Sequence, residues 1–106
     1  MNVHLFRGLL LSAAFAVAAM AGSAEGKAVF AGKCQGCHGP DGEGKAAVAK
    51  MMKVTMLPLG SKEVQAKSDA DLKKVVTAGQ GKMKAIAGLS DAQVGDVVAF
   101  VRTLKK

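Results

Sequence analysis

The chain has 106 residues, which is enough for one domain and too few for two. Half of its residues are hydrophobic, and Lys and Arg outnumber Asp and Glu by 15 to 8, giving a net charge of +7. This composition excludes a disordered chain, a collagen-like repeat and, with two Cys, a disulfide-rich scaffold.

Residues 1–24 have the layout of a cleaved signal peptide. A short stretch containing Arg7 precedes an apolar run from Leu9 to Ala21, which is shorter than the roughly 17–25 residues of a membrane span. The small residues Gly22 and Ala24 then suit signal peptidase; cleavage after Ala21 and a retained membrane anchor are the alternatives. We therefore expect an exported, periplasmic protein whose one domain is residues 25–106.

The first half of this domain predicts short helices separated by loops. Gly26–Lys33 is a helix candidate, and Cys34–Gly44, rich in Gly, is predicted to be a loop. Lys45–Lys53 is rich in Ala and predicts a helix with a basic face. Val54–Gly60 is predicted to be a loop containing a Pro, and Ser61–Ala66 one or two helical turns.

The second half contains the two clearest helices. Ser68 is a strong N-cap, and the helix that it opens ends at Gly79. A Gly- and Lys-rich loop, Gly79–Gly88, precedes Ser90, which with Gln93 predicts a capping box. The inward residues are Leu72, Val75 and Val76 in the first helix and Val94, Val97, Val98, Val101 and Leu104 in the second. No segment predicts a strand, so the fold class is all-α.

The pentapeptide from Cys34 to His38 carries the chemistry. Its form, C-x-x-C-H, attaches c-type haem, because Cys34 and Cys37 can add to the two vinyl groups of a porphyrin and His38 can ligate the iron. A thioredoxin-like pair would need a preceding strand, and a structural zinc site would need a fourth ligand. A disulfide across two residues would stabilise little. We therefore predict one covalently bound haem c, which would also fill a core that has only two aromatic side chains, Phe30 and Phe100.

These features resemble the class I c-type cytochromes, small periplasmic electron carriers with one haem. Gly26-x-x-x-Phe30 resembles the family's N-terminal helix, whose Gly lets the C-terminal helix cross closely. Phe100 resembles the aromatic residue of that C-terminal helix, and the residues from His38 to Gly42 are a common continuation of the haem motif. The resemblance covers nearly all of residues 25–106 and implies the cytochrome c fold, three to five short helices around one haem.

The second axial ligand cannot be another His, because His38 is the only His after the signal peptide. A Met thioether is a suitable soft ligand. Met51 and Met52 lie in a predicted helix, and one of them is expected to pack in the core. Their loop positions leave both Met56 and Met83 open as ligands.

The resemblance implies Met83, because Gly81–Ala85 is similar to the segment that carries the family's second ligand. Many relatives have Pro after this Met, whereas Lys84 stands here, so a less rigid loop and a weaker Met–iron bond are expected. No Pro lies between Pro40 and Pro58 to mark a carbonyl acceptor for the His38 ring N–H, so that acceptor is left open.

Lysines near the predicted ligands indicate a docking surface. They are Lys33, Lys82 and Lys84 beside the ligand residues, and Lys45, Lys50 and Lys53 in the next helix. Class I cytochromes dock through an exposed haem edge, so the resemblance implies redox partners with acidic surfaces. For any one Lys, a solvated surface is the alternative. Nucleic acid is not an expected partner, since no reader motif is present.

The resemblance implies electron transfer without catalysis, with a haem iron ligated by His38 and Met83. It further implies a monomer that meets membranes only through partner complexes. A haem-based sensor or a peroxidase-like protein is the alternative, and it would need a sixth iron site that opens. A thiol–disulfide protein without haem is a third hypothesis.

Overall fold

The structure is a computed structural model, and it describes residues 22–106. The predicted signal peptide lies outside the described residues, apart from residues 22–24, which are helical. Among the described residues, no helix has both the length and the apolar character needed to cross a bilayer.

The described part of the chain folds into helices joined by loops. The helices are α1 (residues 22–33), α2 (Gln35–His38), α3 (Ala46–Met52), α4 (Lys62–Gln65), α5 (Asp69–Ala78) and α6 (Asp91–Thr103). Within residues 22–106, β-type backbone pairing is limited to one isolated antiparallel bridge between Gln80 and Met83. The all-α prediction is therefore confirmed, and the five predicted helices end within a few residues of their predicted bounds. Residues 22–106 contain six helices, one more than the three to five implied by the resemblance, because part of the haem motif is itself helical.

Serine side chains begin three of these helices. The hydroxyl oxygens of Ser61 and Ser68 accept the backbone N–H groups of Val64 and Asp71, as expected for N-caps. At α6, Ser90 accepts the Gln93 N–H at 3.1 Å, and the Gln93 side chain accepts the Ser90 N–H at 2.9 Å. This reciprocal pair is the capping box that the sequence predicts.

The prediction of a loop over Cys34–Gly44 is wrong for its first part, because Gln35–His38 form the helix α2. The Cys34 N–H donates to the carbonyl of Phe30 at 2.9 Å, and the His38 N–H donates to the carbonyl of Cys34 at 3.0 Å. Helical bonding thus continues from α1 through the C-x-x-C-H motif. The glycine inside the motif does not interrupt it; the helix ends at Gly39, whose φ is +81°.

The core is built where α1 crosses α6. The rings of Phe30 and Phe100 lie 5.0 Å apart between centroids, tilted by 55°, and Val97 and Val101 complete the cluster. A Cβ on Gly26 would overlap the backbone carbonyl of Asp96, so the two helices are in contact through their backbones. This confirms the close helix crossing that the family resemblance implies; the contact between the two Phe rings is a feature that the structure adds. Cys34 belongs to the same buried cluster, which fixes the haem motif against α6.

A hydrogen-bond network ties the last turn of α6 to the corner between α4 and α5. The Arg102 guanidinium donates to the carbonyls of Gln65 and Lys67 at 3.0 and 2.6 Å, and to the Asp69 carboxylate at 2.8 and 3.0 Å. The Gln65 amide donates to the carbonyls of Leu59 and Val101 at 2.8 and 3.0 Å. These contacts hold the segment after α4 against the core.

Candidate functional site

A cavity of about 760 Å³ opens beside the α1–α6 crossing. Each of the six described helices contributes to its walls, together with the loops before α4 and after α5, and most of the lining side chains are apolar. A small domain does not leave this volume within its own core unless another group fills it. The cavity therefore has the size and lining of a cofactor site.

Three residues of the haem motif line this cavity. Cys34 is 8% exposed, Cys37 is exposed, and both are free thiols. Burial raises the pKa of the Cys34 thiol, so this side chain stays protonated at neutral pH. His38 is half-buried, and burial lowers the pKa of its imidazole, which favours the neutral form that can donate a lone pair to a metal.

The His38 ring carries an unsatisfied nitrogen. Its Nδ1 is the one buried side-chain polar atom within residues 22–106 that lacks a hydrogen-bond partner. The carbonyl acceptor that the sequence left open is therefore not found around this ring. The fit to a covalently attached haem therefore comes from the donor set: two free thiols and a neutral imidazole line the same apolar cavity, and Nε2 is the ring nitrogen that would ligate an iron.

The methionines fall into two groups. Met52, Met56 and Met83 are half-buried and line the cavity, whereas Met51 is 75% exposed. Met56 lies against the segment that follows the haem motif, because a Cβ on Gly44 would be 3.4 Å from the Met56 Sδ. Met83 comes from the loop after α5 and lines the same cavity.

Comparison with known proteins assigns the family. The sequence model described as Cytochrome c matches residues 23–105. The chain belongs to the cytochrome c family. Cytochromes c are generally electron carriers with covalently bound haem c, and the class I members are typically secreted or periplasmic.

A solved structure supports the same assignment. The KustC0563 c-type cytochrome has a TM-score of 0.65 and 25% sequence identity, over 76% of this chain and 98% of that one. This likeness and the family match confirm the cytochrome c fold. No curated protein sequence matches the chain significantly.

The predicted basic surface of this cytochrome c family member is divided. Lys33, Lys82 and Lys84 border the cavity, whereas the three lysines of the predicted helix 45–53 do not. Lys67, which the sequence analysis did not single out, borders it as well. The sequence around Lys67, which precedes the N-cap Ser68, does not indicate a position at the cavity, because the cavity wall is formed by tertiary packing.

Proposed function

We propose that the chain is a periplasmic electron carrier holding one haem c. Cys34 and Cys37 would hold the haem through thioether bonds, and His38 and Met83 would be the axial ligands of its iron. The observation that carries the proposal is that these four side chains line one apolar cavity in a domain of the cytochrome c family. The haem, when bound, supplies an iron that alternates between the ferrous and ferric states.

His38 suits the role of an iron ligand because its backbone belongs to a well-anchored helix. Its backbone lies in α2, which is bonded to α1, and α1 packs directly on α6. The ring is therefore carried by a helix that is joined to the α1–α6 core, and its neutral form is favoured by burial. A ligand held this way needs little reorganisation when the iron changes its charge, which suits electron transfer.

Contacts around the two loop methionines favour Met83 as the second ligand. Met56 lies beside Gly44, and the Gly44 N–H donates to the His38 carbonyl at 2.7 Å. Met56 thus packs with the segment that carries His38, whereas the second ligand would have to come from a separate segment of the chain. Met83 is carried by a separate segment, between α5 and α6.

The remaining lining residues would exclude water and guide partners. Apolar side chains of α5 and α6 line the cavity and would keep the dielectric low around a bound haem. Lys33, Lys67, Lys82 and Lys84 at its border would attract a redox partner with an acidic surface. We propose that the chain works as a monomer, that residues 1–24 direct its export, and that they are then removed by cleavage.

Two variants of equal side-chain change test the ligand assignment. Met83→Leu and Met56→Leu are produced with an intact haem-maturation system, and carbon monoxide binding to the ferrous protein is followed optically. We expect Met83→Leu to bind carbon monoxide readily and to lose the sulfur-to-iron charge-transfer absorption of the ferric protein. Met56→Leu should behave as the parent protein does; the reverse pattern would move the ligand to Met56.

A further inference from the structure

The loop that carries Met83 is a tight turn closed on the end of α5. Gln80 and Met83 exchange two backbone hydrogen bonds, each of 2.9 Å, around a turn in which Gly81 has a φ of +56°. Three residues later, the Ile86 N–H donates to the carbonyl of Val76 at 2.8 Å. The segment from 80 to 86 is therefore closed on itself at its start and bonded to the last part of α5 at its end.

Gly79 lies where this loop approaches the helix most closely. Its N–H donates to the Val75 carbonyl at 2.9 Å, and its backbone has φ +80° and ψ 170°, a region that only Gly occupies readily. A Cβ at this position would lie 2.7 Å from the Met83 carbonyl oxygen and 2.9 Å from the Ala85 nitrogen. Both are backbone atoms, so they could not move aside without moving Met83.

We infer that Gly79 is a positioning residue for Met83: the absence of its side chain allows the loop to pack against α5 and so fixes the Met83 backbone at the cavity wall. The role of a helix-ending Gly alone would not require this, because such a residue needs only its φ angle. Gly79 must also lack a side chain because the backbone of residues 83–85 packs directly against it. From Lys84 in place of Pro, the sequence predicts a less rigid loop. In the structure the loop is held instead at its start, where it packs closely on Gly79. That Met83 binds iron rests on the proposed function.

Gly88 provides a control for the introduction of a side chain at positive φ. It lies in the same connection between α5 and α6 with a φ of +82°, and a Cβ there would have no neighbour within 4 Å. Gly79→Ala and Gly88→Ala therefore both introduce a side chain at positive φ, but only the first introduces contact with the Met83 segment.

The test compares the haem-loaded parent protein with these two variants and with Met83→Leu. Amide hydrogen exchange of Met83 and Ile86 reports the loop, and carbon monoxide binding to the ferrous iron reports the ligand. We expect Gly79→Ala to speed exchange at both amides by about tenfold and Gly88→Ala to leave both within about twofold. Gly79→Ala should also bind carbon monoxide faster than Gly88→Ala does.

Equal exchange in the two Gly variants would overturn the inference. Free exchange of the Met83 and Ile86 amides in the parent protein would also overturn it, whether or not Gly79→Ala folds. If Met83→Leu leaves carbon monoxide binding unchanged, the proposed ligand is wrong. In that case the hydrogen-exchange rates alone test whether Gly79 positions the Met83 backbone. Faster exchange in Gly79→Ala than in Gly88→Ala supports this role, and equal exchange in the two variants refutes it.

Discussion

Replacement of Gly26 by Ala should separate α1 from α6 and destabilise the fold. A Cβ at residue 26 would overlap the Asp96 carbonyl and lie 3.0 Å from the Val97 nitrogen. Because these are backbone atoms of a helix, no side-chain rotation relieves the overlap. The helices have to move apart, which also loosens Phe30 from Phe100 in the core below.

Two opposing terms set the magnitude. Ala is favoured over Gly within a helix by about 0.5–1 kcal/mol. Overpacking of a tight contact costs about 1–3 kcal/mol, and the upper end applies here because the obstacle is backbone. We expect a net loss of about 2 kcal/mol, which in a domain of this size lowers Tm by about 8–16 °C.

Gly32→Ala is the control on the same helix. A Cβ there meets nothing within 4 Å, so only the helix-propensity term remains and stability should rise by about 0.5–1 kcal/mol. Thermal unfolding of the ferric haem protein, followed by circular dichroism, compares both variants with the parent. If Gly26→Ala stabilises the protein as Gly32→Ala does, the direct backbone contact between α1 and α6 is refuted.

Two further stability predictions concern α6. Arg102→Gln removes hydrogen bonds to two backbone carbonyls and should cost about 1–3 kcal/mol in urea unfolding. Asp69→Asn weakens an exposed ion pair and removes one charge from the first turn of α5, and it should cost less than about 1 kcal/mol. An equal loss in both variants would show that the ion pair is the main contribution. Ser90→Ala removes the N-cap and should cost about 1 kcal/mol in the same assay; an unchanged urea midpoint would contradict the capping role.

Local signals in the sequence predicted the helices well, because caps and apolar spacing act over a few residues. Ser68 and Ser90 begin their helices as predicted, and Gly79 ends one. The error at Gln35–His38 has a physical reason: glycines there suggested a loop, but hydrogen bonds carried over from α1 keep the motif helical until Gly39. Glycine lowers helix propensity, and tertiary context can override that cost.

The haem motif could be read from the sequence because its chemistry is contained in five consecutive residues. The contacts that position the site could not. Arg102 bonds with residues 33 to 37 positions earlier in the chain, and such pairs leave no periodic pattern. The approach of Gly79 to the Met83 backbone also depends on how a loop folds back on its own helix. Lys84, at the position where many relatives have Pro, indicated only that the loop lacks the rigidity that Pro would give.

The optical spectrum of the reduced protein with and without carbon monoxide tests the central claim most directly. The claim is an electron carrier whose iron is closed on both faces by His38 and Met83. The protein purified from the periplasm should show a low-spin c-type haem spectrum that carbon monoxide leaves unchanged at neutral pH. Ready formation of a carbon monoxide complex, or a high-spin ferric form, would contradict the closed site and favour a sensor or a peroxidase-like protein.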